Sequence, residues 1–104
     1  MKQLKKERKS FLNLKQTGVK IEIITPEQKV YEGDIRSLKV PGKKGAFQVL
    51  KDHAAIVSTL VEGKVTVTDM NGRDSEFEIE GGVIEVQKNK IILLAESVSR
   101  DDKQ

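Results

Sequence analysis

Three places in the sequence carry residue types whose spacing could do chemistry. Asp52 precedes His53, Glu76, Glu78 and Glu80 recur at every second position, and Pro41-Gly42-Lys43-Lys44-Gly45 is glycine-rich and basic. The first would suit an acid–base dyad, the second hydrolysis or a hard cation, the third a phosphate cradle. Each falls short. Neighbouring residues on a strand point to opposite faces, so adjacency alone does not aim Asp52 at His53, and no nucleophile is evident beside the ring. His53 therefore reads as a structural or interface histidine rather than a general base. A cation site needs oxygens converging from several directions, whereas a period-two row of Glu is the solvated side of a sheet. The basic stretch lacks phosphate-loop spacing, and no helix follows it to supply a positive dipole end. It reads as a protruding, positively charged tip on a rigid scaffold, a common form of docking point.

Composition narrows the field further. With no Cys, the chain of 104 residues has no disulfide, thiol nucleophile or thiolate metal site. One His excludes multi-His zinc clusters, and three Phe, one Tyr and no Trp leave little for base stacking. No cofactor and no metal are expected, and no enzymatic activity. No apolar stretch approaches the roughly 18–20 residues of a bilayer span, so no integral membrane segment is expected. The basic N-terminus is not followed by a continuous apolar run, so no secretory leader is expected either. The net charge of +3 is uneven: residues 1–20 hold seven of the 19 Lys and Arg and one acid, Glu7, so the remainder is acidic on balance. The basicity belongs to an N-terminal extension over 1–18, read as a disordered arm, although Leu4, Phe11 and Leu14 could line a short amphipathic helix.

The elements that must position these residues are strands. Val19, Ile21 and Ile23, then Val65 and Val67, then Phe77 and Ile79, alternate with polar neighbours, which is the pattern of half-buried strands. Ile35 to Val40, Phe47 to Leu50 and Ile56 to Val61 read as further strands. Ile91 to Ala95, apolar on both faces, reads as a central one. Asn71-Gly72 marks a hairpin in which both residues accept positive φ, and Lys88-Asn89-Lys90 marks a second tight turn. Gly33, Pro41-Gly42, Gly45, Gly63 and Gly81-Gly82 punctuate the rest. The expected fold is all-β: one antiparallel sandwich or flattened barrel of about eight to ten short strands over 19–99, with a polar tail at 100–104.

An ordered series of short motifs adds to this. It runs Ile24-Thr25-Pro26-Glu27, Val30-Tyr31-Glu32-Gly33, Val40-Pro41-Gly42 and Gly45-Ala46-Phe47. It continues through Leu50-Lys51-Asp52-His53-Ala54, Leu60 with Gly63, and Gly81-Gly82-Val83-Ile84-Glu85-Val86-Gln87 with Asn89, Leu94 and Ala95. Over Val19 to Ala95 this resembles the N-terminal β-sandwich domain of the epsilon subunit of F-type ATP synthases, called delta in mitochondria. Departures from the family pattern are Gln48 for Gly, Lys51-Asp52 for Pro-Gly, Ala55 for Pro, and the basic extension.

The resemblance implies a non-catalytic rotor part of the central stalk, which binds the gamma subunit and the c-ring and couples ion flow to ATP synthesis. It places the ring-facing tip at Gly42, Lys43, Lys44, Gly45 and Ala46, and the gamma-facing surface at Thr25, His53 and Ser58. Many members continue into a helical hairpin, and this sequence stops at Gln104, so the expectation is a subunit without helix-based autoinhibition or a nucleotide site. The implied location is peripheral, on the cytoplasmic face of the bacterial inner membrane, with membrane contact only through the c-ring. No specific nucleic acid and no obligate homo-oligomer are expected. Two other readings compete with it. One is a small β-barrel binding RNA or anionic lipid through the basic arm and Lys43-Lys44, opposed by the acidic body and few aromatics. The other is a biotinyl or lipoyl carrier, opposed by a turn, Asp69-Met70-Asn71-Gly72, that holds no Lys.

Overall fold

The computed structural model describes residues 18–100, so the basic extension, apart from Gly18, and residues 101–104 lie outside the described residues. Nine strands follow in order: β1 (Val19–Ile24), β2 (Lys29–Val40), β3 (Phe47–Val49), β4 (Ile56–Leu60), β5 (Gly63–Asp69), β6 (Asp74–Ile79), β7 (Gly82–Gln87), β8 (Lys90–Ala95) and β9 (Val98–Arg100). Hydrogen-bonded order is β4-β7-β8-β1-β2-β5-β6-β9, with β3 on β2. The all-β sandwich expected from the alternation is what forms, and no helix occurs among the described residues.

The sheet folds over on β2. The first half of β2 pairs with β1, from Lys29 to Ile35, while the second half lies between β3 and β5. One leaf is thus β4-β7-β8-β1-β2 and the other β3-β2-β5-β6-β9. Their inner faces meet in a single core in which Ile21, Ile23, Ile35, Leu38, Val65, Phe77, Ile84, Ile91 and Leu93 are fully buried. Tyr31 from the first leaf meets Phe77 from the second edge-on, ring centroids 5.8 Å apart. Edge-to-face pairing of this kind adds about 0.5–1.5 kcal/mol to the burial of the two rings.

Four details depart from expectation. Gly33 does not break the chain: it lies inside β2, paired with Ile21, so the strand expected over Ile35 to Val40 starts earlier, at Lys29, and runs for 12 residues. Not every pairing is antiparallel, since β1 runs parallel to β8. Positive φ at the Asn71-Gly72 hairpin is confined to Gly72 (+84°), and Asn71 does not share it. There the Asp69 carboxylate accepts the N–H groups of Asn71 and Arg73, at 2.8 and 2.9 Å, and so organises a longer loop. The two-residue turn with positive φ at both positions falls instead on Lys88 (+51°) and Asn89 (+60°). Finally, β8 is central in its leaf, yet only Ile91, Leu93 and Ala95 are buried; Leu94 on its other face is exposed.

Candidate functional site

The basic tip is the β2–β3 connection. Gly42 bridges to Leu60, the Lys43 N–H donates to the Thr59 carbonyl at 2.9 Å, and the Val61 N–H donates to the Pro41 carbonyl at 2.9 Å. The loop is therefore welded to the end of β4. Gly45 N–H closes the turn on the Gly42 carbonyl at 3.0 Å. Gly42 is buried, and a Cβ there would stand 2.6 Å from the Gly45 carbonyl oxygen and 2.9 Å from the Phe47 ring, so the close approach requires glycine. Lys43, Lys44, Gly45 and Ala46 are exposed, and neither lysine has an ion-pair partner among the described residues.

His53 sits behind this tip. It lies in the turn between β3 and β4, not on a strand, so the opposed-faces argument does not apply to it. The outcome is the same: Asp52 is turned away, at φ +66°, and its partner is Asn89. Asn89 Oδ1 accepts the Asp52 N–H at 2.6 Å, and Asn89 Nδ2 donates to the Asp52 carboxylate at 3.1 Å. This amide, followed by Lys51, holds the Asp52 carboxyl below its ordinary value of 3.8. The clamp ties the β3–β4 turn to the β7–β8 turn across the leaf edge. His53 Nδ1–H donates to the Ala54 carbonyl at 2.7 Å, and the imidazole lies 6.3 Å from the Phe47 ring centre. Nε2 is thereby left as the ring's remaining polar atom.

Ser58 joins this end of the molecule. With Lys43, Lys44, Gly45, Phe47 and Ile56 to Thr59 it lines a groove of about 410 Å³, and its hydroxyl donates to the Thr59 carbonyl at 3.1 Å. Thr25 lies apart. It is 9% exposed and closes the turn after β1, where its hydroxyl accepts the Gln28 N–H at 3.2 Å. It lines a second, wider groove of about 700 Å³ with Pro26, Leu60, Gly81, Val83 and Leu94. Thr59 borders both grooves, so the two meet across the end of β4.

In the acidic row, Glu76 pairs with Lys64 at 3.2 Å, and Glu78 and Glu80 are exposed. Among the described residues, no three His, Asp or Glu side chains are grouped to hold a metal, and no helix is long and apolar enough to cross a membrane. Two features escaped the sequence reading. The Asp52–Asn89 clamp joins residues 37 apart, and no local signal marks it. The exposed apolar surface of Val57, Val83 and Leu94 does have a signal, the unbroken run Ile91 to Ala95, which reads as a central strand without telling what its outer face meets.

Residues 18–101 match the family described as the β-sandwich domain of the ATP synthase delta/epsilon chain. The chain is 41% identical over 80 residues to the ATP synthase epsilon chain of Chlorobium limicola, covering 77% of this chain and 91% of that one. To the epsilon chain of Chlorobaculum tepidum it is 43% identical over 79 residues, covering 76% and 90%. The fold is shared with a chain of the Euglena gracilis mitochondrial ATP synthase (OSCP/F1/c-ring), at a TM-score of 0.78 and 15% identity, covering 82% of this chain and 54% of that one. It is shared too with a chain of the Tetrahymena thermophila mitochondrial ATP synthase central stalk and c-ring, at a TM-score of 0.67 and 13% identity, covering 77% and 64%. This protein thus spans less than two thirds of either structural neighbour, though most of its two Chlorobium-type relatives. On the strength of the domain match and these identities, the chain belongs to the delta/epsilon family of ATP synthase subunits.

Proposed function

We propose that this chain is a non-catalytic central-stalk subunit of an F-type ATP synthase, seated between the gamma subunit and the c-ring. It couples ion flow to ATP synthesis as a stiff spacer and does no bond chemistry. The observation that carries this reading is the tip: two lysines with no ion pair among the described residues, held out on a loop that two backbone hydrogen bonds weld to the end of β4, in a chain of this family. A coupler needs a stiff body and complementary surfaces, and the sandwich with its anchored turns supplies both.

In this assignment Gly42, Lys43, Lys44, Gly45 and Ala46 face the polar loops of the ring, with the lysines attracted to acidic or carbonyl groups there. Such attraction is screened as salt rises. Thr25, His53 and Ser58 mark the gamma side. Thr25 acts through the position of its turn, since its hydroxyl is engaged within it, whereas His53 Nε2 is available to a partner's backbone. The subunit is peripheral, on the cytoplasmic face of the bacterial inner membrane, and is not an obligate homo-oligomer.

Co-expression with the gamma subunit of the same organism, followed by gel filtration at low and high salt, tests the assignment. A stable one-to-one complex is expected, weakened by His53→Ala and left intact by Lys43→Glu with Lys44→Glu. Failure to associate with a folded, soluble gamma subunit would overturn it.

A further inference from the structure

Strand β4 ends one leaf, and part of its outer edge is already in use. Its pairing with β7 is regular from Ile56–Val86 to Leu60–Gly82. On the opposite side the Val61 N–H donates to the Pro41 carbonyl, and the Thr59 carbonyl accepts the Lys43 N–H, both at 2.9 Å. Hydrogen-bonded and non-hydrogen-bonded pairs alternate along an antiparallel ladder, so Val57, like Thr59, turns its main-chain groups away from β7. Past Lys43 the tip closes on itself, Gly45 N–H to Gly42 carbonyl, and follows β4 no further. The Thr59 N–H and both main-chain groups of Val57 are left without a partner among the described residues. The tip begins a ladder on β4 and does not finish it.

The space before these groups is shaped. The groove of about 410 Å³ follows the edge itself, lined by Ile56 to Thr59 in unbroken sequence, so side chains of both faces border it. Half-buried Phe47 and Ile56 give it apolar lining, and Lys43 and Lys44 stand at the Thr59 end. No acid lines it, and neither lysine has an ion pair among the described residues. Glu85, opposite Val57 on β7, lines a different groove together with Lys88 and Lys90.

We propose that the free edge of β4 binds an extended acidic segment of a partner polypeptide by strand addition. The segment pairs with the Thr59 N–H and with the N–H and C=O of Val57, sets an apolar side chain against Phe47 and Ile56, and directs carboxylates to Lys43 and Lys44. Main-chain bonds supply the affinity in this mode of recognition, and alternate side chains the specificity. A free anion would answer the lysines and leave the Val57 groups unmatched. A second β4 edge would answer the ladder but bring nothing to the lysines, since residues 56–60 hold no acid.

The test selects short random peptides, displayed on phage, against the full chain. Sequences with acidic residues and alternating apolar positions should be enriched, and a synthetic copy of the leading sequence is then bound to the isotope-labelled chain. Exchange of the Val57 amide with solvent, fast in the free chain, should slow by about tenfold or more, while Ser58, bonded to β7, is slow throughout. Val57→Pro removes the outward N–H and spares the ladder to β7, a position where edge strands tolerate proline, and should weaken the peptide about tenfold. Lys43→Glu with Lys44→Glu leaves β4 untouched and should weaken the same peptide while salt abolishes the difference. Failure to enrich acidic sequences, equal binding to Val57→Pro, or unchanged Val57 exchange in the bound state would each overturn the proposal. Protection of Val57 that grows with concentration of the chain alone would also overturn it, and assign the edge to a second copy. Neither gamma subunit nor ring is present, so the outcome is independent of the stalk assignment.

Discussion

The two leaves have the same interior and opposite exteriors. Inside, both present aliphatic residues to one core with Phe77 at its centre. Outside, the β3-β2-β5-β6-β9 leaf shows Gln48, Lys39, Thr66 and Glu76 in one row, with Lys64, Glu78 and Ser99 beside it. Its polar groups satisfy one another: Lys64 holds Glu76 at 3.2 Å, and the Thr68 hydroxyl donates to Asp74 at 2.6 Å. The other leaf shows Val57, Val83, Ile92 and Leu94 to the outside. Stability does not ask for this, since one leaf manages without it. The difference is one of surface chemistry: the polar leaf pairs its own charges, and the other leaf leaves aliphatic groups exposed.

Turns follow the same division. The β5–β6 turn on the polar leaf is tied to itself through Asp69, and the β7–β8 turn on the apolar leaf is tied to a neighbouring loop through Asn89 and Asp52. Backbone N–H donation from Arg73 first, and the Asn89 amide first, hold the carboxyls of Asp69 and Asp52 respectively below 3.8.

The largest effect belongs to what the leaves share. Phe77→Ala empties the contact with Tyr31 and should cost about 3–5 kcal/mol by chemical denaturation, as buried Phe truncations do. A loss confined to one leaf, seen as two separate unfolding transitions, would break the picture of a single core. A smaller effect separates the exteriors. Val83→Thr with Leu94→Thr, and Thr66→Val on the polar leaf, should each leave unfolding free energy within about 0.5 kcal/mol. Only the first should lower binding of a dye that reports apolar surface, because only that face exposes contiguous apolar groups.

The smallest effect lies in the turns. Both depressed carboxyls contribute stability above their ordinary value of 3.8, and that contribution is lost as pH falls through their lower folded values. Asn89→Gly keeps the turn's positive φ but removes the amide. It should raise the Asp52 titration toward 3.8 in carboxyl-resolved NMR and leave that of Asp69 where it is. A shift of both would mean that the two turns are coupled.

Much of this was legible in the chain itself. Period-two alternation located Val19–Ile24, Gly63–Asp69 and Asp74–Ile79, because burial on one face leaves that imprint whatever the topology. Gly33 misled because a glycine inside a strand and a glycine in a turn look alike locally; its pairing with Ile21 is a tertiary fact. Asn71-Gly72 misled for a related reason: Asp69 two residues earlier captures the backbone and lengthens the loop. At the candidate site, the exposed basic tip followed from composition, since Gly42 and Gly45 flank two lysines. The Asp52–Asn89 clamp did not, because it joins segments brought together only when β4 pairs with β7. Ile91 to Ala95 reads as a central strand, as it is, but hydrophobicity alone does not tell that Leu94 on its outer face is exposed.

Strand β2 has a mechanical meaning. It is the one strand common to both leaves, and the basic tip begins where it ends. Ladder hydrogen bonds in antiparallel pairs lie perpendicular to the strands. A tug on the tip directed along β2 therefore loads its bonds to β1, β3 and β5 together, in shear, instead of peeling them one by one. The strand behaves as a tie rod through the body, and a push at Lys43 and Lys44 is felt by the whole sandwich at once.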